Sequence, residues 1–161
     1  MVLRKVDGPE ILRRVAEHGV TLMGGAPAVW NTVLDAARDW DGEIPGRGRV
    51  RIIGAGAPPP ARTIQRVADE LGWEFLQIYG LTETAPLLTF NRTRPSDDAL
   101  PAVERAAKLS RAGAPALGVR LATTDSGEVL ARANVVLAGY WNNPEASAEA
   151  VEGGWFHTGD G

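Results

Sequence analysis

Gln77-Ile78-Tyr79-Gly80-Leu81-Thr82-Glu83-Thr84 follows directly on an apolar run that opens at Phe75. Such a run, broken by glycine and then by three polar residues, predicts a buried strand from Phe75 to Tyr79 that ends in a tight turn. Open α/β sheets bind ligands at the carboxyl ends of their strands, so the turn is expected to present Thr82, Glu83 and Thr84 to a crevice. Glu83 has no other carboxylate within several residues on either side. A hard-oxygen ligand in that place suits Mg²⁺ carrying a nucleotide's phosphates. An ordinary strand exit with a solvated glutamate is the competing reading of these eight residues.

A second stretch points the same way. Arg51-Ile52-Ile53 reads as a short strand running into Gly54-Ala55-Gly56-Ala57-Pro58-Pro59-Pro60. Small residues let a ligand approach the backbone, and prolines stiffen the turn. Ile64, Val67, Ala68 and Leu71 then fall on one helical face, with Gly72 as a stop. Strand, Gly/Pro turn, helix, strand and Thr/Glu turn make a βαβ unit with both turns at one edge.

Gly56-Ala57-Pro58, Tyr79-Gly80-Leu81-Thr82-Glu83-Thr84, Gly139-Tyr140-Trp141 with Pro144-Glu145, and Trp155-Phe156-His157-Thr158-Gly159-Asp160 occur in one order along the chain. Together they resemble the adenylate-forming superfamily, in its acyl-CoA synthetase branch. The resemblance implies an α/β fold: part of a parallel-sheet subdomain over residues 1–92, then a linker and small β-rich subdomain over 93–161. It implies ATP, Mg²⁺ and CoA as cofactors or co-substrates, and a carboxylic acid, in particular a fatty acid, as substrate. That acid would be activated as acyl-AMP and passed to CoA.

By the same resemblance the backbone of Gly56, Ala57 and Pro58 takes one face of adenine, and the Tyr79 ring takes the other, beside Gly80. Thr82 bonds the α-phosphate and shares the catalytic role with Glu83, which holds Mg²⁺. Asp160 accepts from the ribose hydroxyls, a task suited to a carboxylate. The Ser/Thr/Gly-rich phosphate loop and the lid lysine that the resemblance also implies are not in these 161 residues. The chain therefore reads as a middle piece of a longer enzyme, inactive by itself and prone to self-association through apolar surface at Val20–Met23 and Phe75–Tyr79. Ile78 stands where many such proteins carry glycine, which would narrow the pocket near the acyl carboxylate.

Composition bounds these readings. Apolar residues make up 44% of the chain and charged residues 23%, as in a globular domain. A net charge of −3 gives no footprint for nucleic acid or an anionic membrane. The absence of cysteine excludes thiol catalysis, zinc–thiolate sites and disulfides, and fits a reducing cytoplasm. No apolar stretch approaches the roughly 20 residues of a membrane span, and the start, Met1 to Lys5, lacks a signal-peptide core.

Elsewhere the pattern is simpler. Ile11, Leu12 and Val15 predict a helix ending at Gly19, with His18 at its carboxyl end and no catalytic role. A buried strand is expected over Val20–Met23, a turn over Gly24–Pro27, and a helix from Ala28 to Arg38 with Val29, Thr32, Val33 and Ala36 inward. In the family this strand and helix line the acyl tunnel; plain core packing is the alternative. Residues 92–101 read as linker, Val103–Leu109 as a short basic helix with a solvated face, and Ala146–Val151 as a helix. Val119–Ala122 and Glu128–Ala131 flank Asp125-Ser126-Gly127, a hairpin signal, and Val135–Leu137 is expected to continue as strand. The connection from Thr124 to Glu128 is shorter than is usual in similar proteins.

Three functions remain open. The first is a piece of an acyl-CoA ligase, which Leu81 and Phe156-His157 favour. The second is an adenylation domain serving a carrier protein. The third is a non-catalytic module that binds a nucleotide or a partner. Ser126 and Ser147 have no histidine partner in context, so a serine hydrolase is disfavoured. His157 is read as structural rather than as a base.

Overall fold

Asp7 and Gly19 bracket the first element of the computed structural model, which describes residues 2–161; Met1 lies outside the described residues. The Asp7 carboxylate accepts from the Glu10 N–H at 3.0 Å, and Gly19 takes the left-handed conformation at the other end. Between them α1 (Gly8–His18) buries Ile11, Leu12 and Val15, as their spacing predicts. His18 sits in its last turn.

Residues 2–78 and Asn91–Gly113 form one compact unit, and Tyr79–Phe90 with Ala114–Gly161 form another. In the first unit β1 (Leu22–Gly25), β2 (Arg51–Gly54) and β3 (Glu74–Tyr79, of which Tyr79 counts with the second unit) lie parallel in that order. Leu22 pairs with Arg51, Arg51 with Glu74, and Gly54 with Gln77. The expected βαβ unit is present. α3 (Ala61–Arg66) crosses from β2 to β3 and continues as a wider π turn over Val67–Leu71 before stopping at left-handed Gly72. Ile64, Val67 and Leu71 are buried along it, while Ala68, expected on the same face, is exposed at the π turn.

α2 (Pro27–Ala37) packs on α1, and its buried residues are Trp30, Val33 and Leu34. The inward face is therefore turned from the expected one: Val29 and Ala36 are only partly buried. Two further expectations are corrected here. Gly24 and Gly25 belong to β1 rather than to a turn, because they pair with Ile53 and Gly54. The strand is also not a buried one, since Leu22 is 54% exposed. Phe75 and Leu76 are buried, as the reading of a buried strand expects, Phe75 within the first core, so they add nothing to the apolar surface expected over Phe75–Tyr79.

The segment over 92–101 is not slack. It contains a 3₁₀ turn, Pro95–Asp97, and Asp97 is buried, with its carboxylate bonded to Lys108 and to the Arg94 N–H. α4 (Ala102–Leu109) then buries Ala106 and Leu109 in the first core, while Lys108 makes that ion pair. Ala106 and Leu109, one turn apart, tie this helix down, which its basic composition masks.

In the second unit β4 (Thr89–Asn91) pairs antiparallel with β5 (Ala114–Pro115). β6 (Arg120–Thr123), β7 (Val129–Arg132) and β8 (Phe156–His157) make an antiparallel sheet in that order. The hairpin between β6 and β7 is closed: Thr124 donates to the Glu128 carbonyl at 2.9 Å, and Gly127 donates to the Thr124 carbonyl at 3.0 Å. Val135–Leu137 is irregular rather than a strand; Val136 and Leu137 instead pack on a small core of Leu88, Ala131 and Phe156. α5 (Pro144–Ala150) starts at Asn143, whose side chain caps it. Among the described residues no helix is long and apolar enough to cross a membrane.

Leu12 has no exposed surface at the α1 face of the first core. Leu12→Ala should cost about 2–5 kcal/mol. Urea unfolding would measure it, and a loss below about 1 kcal/mol would contradict this packing.

Candidate functional site

β3 brings Tyr79 to its carboxyl end, and the chain then makes a sharp return. The Tyr79 carbonyl accepts from the Leu88 N–H at 2.9 Å, and a Cβ at Gly80 would overlap the Pro86 carbonyl oxygen. Only glycine fits that approach. Thr82–Thr84 form a 3₁₀ turn held by the Thr84 hydroxyl, which accepts from the Leu81 N–H at 2.9 Å. Thr84 is fully buried, so of the three polar side chains expected at the crevice it turns inward instead. Its short β-branched hydroxyl reaches the turn's own backbone. Thr82 is exposed and Glu83 half-buried.

The Tyr79 hydroxyl donates to Asp160 Oδ2 at 2.8 Å, joining residues 81 apart. Burial raises the Tyr79 phenol above its ordinary range; the Thr158 side chain works against this, and the Asp160 carboxylate adds to it. The structure thus brings together two of the residues singled out for nucleotide binding. Asp160 itself is exposed, so carboxylate oxygen remains accessible to hydroxyl donors.

The loop carrying Asp160 is tightly held. The Val129 N–H donates to the Asp160 carbonyl at 2.7 Å, and the Asp160 N–H donates to Thr158 Oγ1 at 3.1 Å. Thr158 in turn donates to the Val129 carbonyl at 2.7 Å. Glu128 closes the clamp, with Oε2 3.0 Å from His157 Nδ1 and Oε1 accepting from the Gly159 N–H at 3.0 Å. His157 accordingly has a structural partner. Glu128 was not singled out in the sequence, although its place two residues after Ser126, immediately before β7, puts it opposite this loop.

Glu83 is gripped at two points by one segment. Its carbonyl accepts from the Leu137 N–H at 2.7 Å, and its Oε1 accepts from the Tyr140 hydroxyl at 3.0 Å. That hydrogen bond, then burial, pushes the Tyr140 phenol up. Tyr140, quoted above only within a motif, is therefore a polar partner of the central carboxylate. Trp141 beside it is almost fully exposed.

Gly56, Ala57 and Pro58 follow β2 in the first unit as an exposed turn, with Gly56 at positive φ. Gln77, opposite Gly54, is buried, and its Oε1 has no hydrogen-bond partner. No group of three or more His, Cys, Asp or Glu side chains able to hold a metal occurs among the described residues. A single carboxylate with an oxygen to spare fits Mg²⁺ only if the remaining ligands come from phosphates and water, as Mg²⁺ at nucleotide sites usually has.

Residues 1–141 match the family described as "AMP-binding enzyme". The chain belongs to this family. It is 37% identical to the probable acyl-activating enzyme 5, peroxisomal, of Arabidopsis thaliana, over 98% of this chain and 30% of that protein. It is 38% identical to a 2-methylpropanoate–CoA ligase of Humulus lupulus, again over 98% of this chain and 30% of that one. The N-terminal domain of FACL13 from Mycobacterium tuberculosis superposes with a TM-score of 0.78 at 27% identity, covering 98% of this chain and 39% of the other. The chain thus spans about 30% of the length of these curated relatives. The alignments, 172 and 173 residues long, exceed the 161 residues here, so the relatives carry positions this AMP-binding chain lacks.

The Glu128 carboxyl is held below its ordinary range by the His157 hydrogen bond and then by the Gly159 N–H. Its contribution is therefore fully present above the unfolded value, roughly 4.3, and is lost as pH falls through the lower folded value. Glu128→Gln should lower the melting temperature at neutral pH, and the gap to wild type should close as the pH is taken below about 4. Thermal melts across that range check this; a gap independent of pH would contradict the clamp.

Proposed function

We propose that this chain supplies the nucleotide-handling part of an AMP-forming acid–CoA ligase, which activates a carboxylic acid, a fatty acid in the first instance, as acyl-AMP and transfers it to CoA. The observation that carries the reading is the Tyr79–Asp160 pair. An aromatic face and a carboxylate are tied at the end of a parallel strand in a chain of the AMP-binding family. Relatives named as acyl-activating and 2-methylpropanoate–CoA ligating enzymes support the reaction class.

In this reading Asp160 accepts from the ribose hydroxyls and the Tyr79 ring takes one face of adenine, with Gly80 admitting the returning chain that fixes the end of the strand; the Gly56, Ala57 and Pro58 turn after β2 keeps its proposed role as an adenine-contacting backbone. Thr82, exposed beside Glu83, donates to the α-phosphate. Glu83 holds Mg²⁺, which would supply charge neutralisation at the phosphates. The residues of this chain do their part by position: Glu128 and His157 fix the Asp160 loop, and buried Thr84 fixes the turn that displays Thr82 and Glu83. Such preorganisation is worth rate because nothing need reorganise as charge develops. Leu81 and Phe156-His157 favour CoA over a carrier protein as the acceptor. The cytoplasmic expectation belongs to the same reading and rests on the cysteine-free composition.

The chain by itself is expected to bind ATP weakly and to make no thioester. None of its residues replaces a phosphate loop or a lysine at the α-phosphate, and one such donor is worth about 10²–10³ in rate. The test is calorimetry with ATP and Mg²⁺, beside a thioester assay with CoA and a panel of acids. Asp160→Asn should weaken ATP about tenfold, the worth of roughly 1.4 kcal/mol in charge-assisted bonds. Equal ATP affinity in Asp160→Asn would overturn the ribose role, and robust thioester from the purified chain would overturn the expectation of inactivity.

A further inference from the structure

Glu83 and Tyr140 meet although 57 residues separate them. Three features make this contact a built one. The Leu137 N–H fixes the Glu83 main chain at 2.7 Å, so the carboxylate is presented from an anchored residue. The Tyr140 N–H donates to Ser147 Oγ at 2.8 Å, and that hydroxyl donates to the Asn143 carbonyl at 2.6 Å. Ser147 lies in α5, whose start Asn143 caps through the Ala146 N–H at 3.2 Å. The phenol is thus aimed by a capped helix rather than by a free loop. Finally, Gly139 leaves room for this packing, since a Cβ there would press on Ser147 Oγ at 3.1 Å from a strained positive φ.

Only one carboxylate oxygen is used. Oε1 takes the phenol proton, and Oε2 has no hydrogen-bond partner among the described residues. No Lys or Arg forms an ion pair with Glu83 among the described residues. A half-buried carboxylate held through one oxygen, with the other left free and no counter-cation from the protein, is set up to bind a cation in one-oxygen fashion.

We propose that Tyr140 is a positioning residue for Glu83: its hydroxyl holds Oε1 and leaves Oε2 as the ligand for a divalent cation, with Ser147 aiming the phenol. The proposal deepens the nucleotide reading above and rests on it only for the source of the cation's remaining ligands. A ligand's hydrogen-bonded partner sets its orientation and basicity, and losing such a partner typically weakens metal binding about 10–100-fold.

The chain has only two tyrosines, which makes the test direct. In protein carrying ¹³C at the tyrosine ζ position, Tyr79→Phe leaves the Tyr140 signal alone and so assigns both without a change at Tyr140. Glu83→Gln should lower the Tyr140 phenol toward its ordinary range, leaving only the smaller push from burial, and leave Tyr79 unmoved. Mn²⁺ alone should broaden the Tyr140 signal before that of Tyr79, and Glu83→Gln should abolish the preference. Free Mn²⁺, followed by electron paramagnetic resonance, should show Tyr140→Phe binding at least about tenfold more weakly, with an unchanged circular dichroism melt. A Tyr140 titration indifferent to Glu83→Gln overturns the proposal. So does Mn²⁺ retention that is equal in wild type and in folded Tyr140→Phe. The titration arm uses only a substitution at half-buried Glu83, so it stands even where Tyr140→Phe fails to fold. Loss of ATP binding in calorimetry, with the Mn²⁺ and titration results intact, would strike the nucleotide reading alone.

Discussion

A single hydrogen bond, from the Tyr79 hydroxyl to the Asp160 carboxylate at 2.8 Å, joins the end of the parallel strand to the last loop of the chain. Much of the second unit exists to keep its two ends still. On one side, the Tyr79 carbonyl is tied to Leu88, and Gly80 admits the returning chain against Pro86. On the other, Val129, Thr158 and Glu128 hold the backbone around Asp160 at three points. The bond is partly exposed, so its worth lies in geometry rather than in stability.

The same logic governs Glu83. A carboxylate on a solvated turn would sample many rotamers, and ordering it for a cation would cost about 1–2 kcal/mol of side-chain entropy. Anchoring at Leu137 and Tyr140 meets that cost in folding, before any ligand arrives. Glu83 is thus held by Leu137 and Tyr140, and the Asp160 carboxylate by Tyr79 on a loop that Glu128 and Val129 fix, so each is positioned by groups far away in sequence.

Periodicity carried the βαβ core well. Ile11, Leu12 and Val15, and then Ile64, Val67 and Leu71, face inward as their spacing requires. The hairpin at Asp125-Ser126-Gly127 was equally legible, because turn chemistry is local. Where expectation failed, long-range packing decided. Trp30 and Leu34 displaced the predicted face of α2, and Val135–Leu137, strand-like in composition, found no neighbouring strand to pair with and packed by side chain. At the site, motif order pointed to Tyr79, Glu83 and Asp160. It was silent on Glu128 and on the polar use of Tyr140, since a partner 29 or 57 residues away leaves no local pattern.

The central claim is that the Tyr79–Asp160 pair forms a nucleoside subsite. Transferred nuclear Overhauser contacts from AMP test it most directly. The account predicts contacts from the adenine and ribose protons to the Tyr79 ring, lost in Asp160→Asn and kept in Asp125→Asn on the exposed hairpin. Contacts absent from Tyr79, or unchanged in Asp160→Asn, would contradict it.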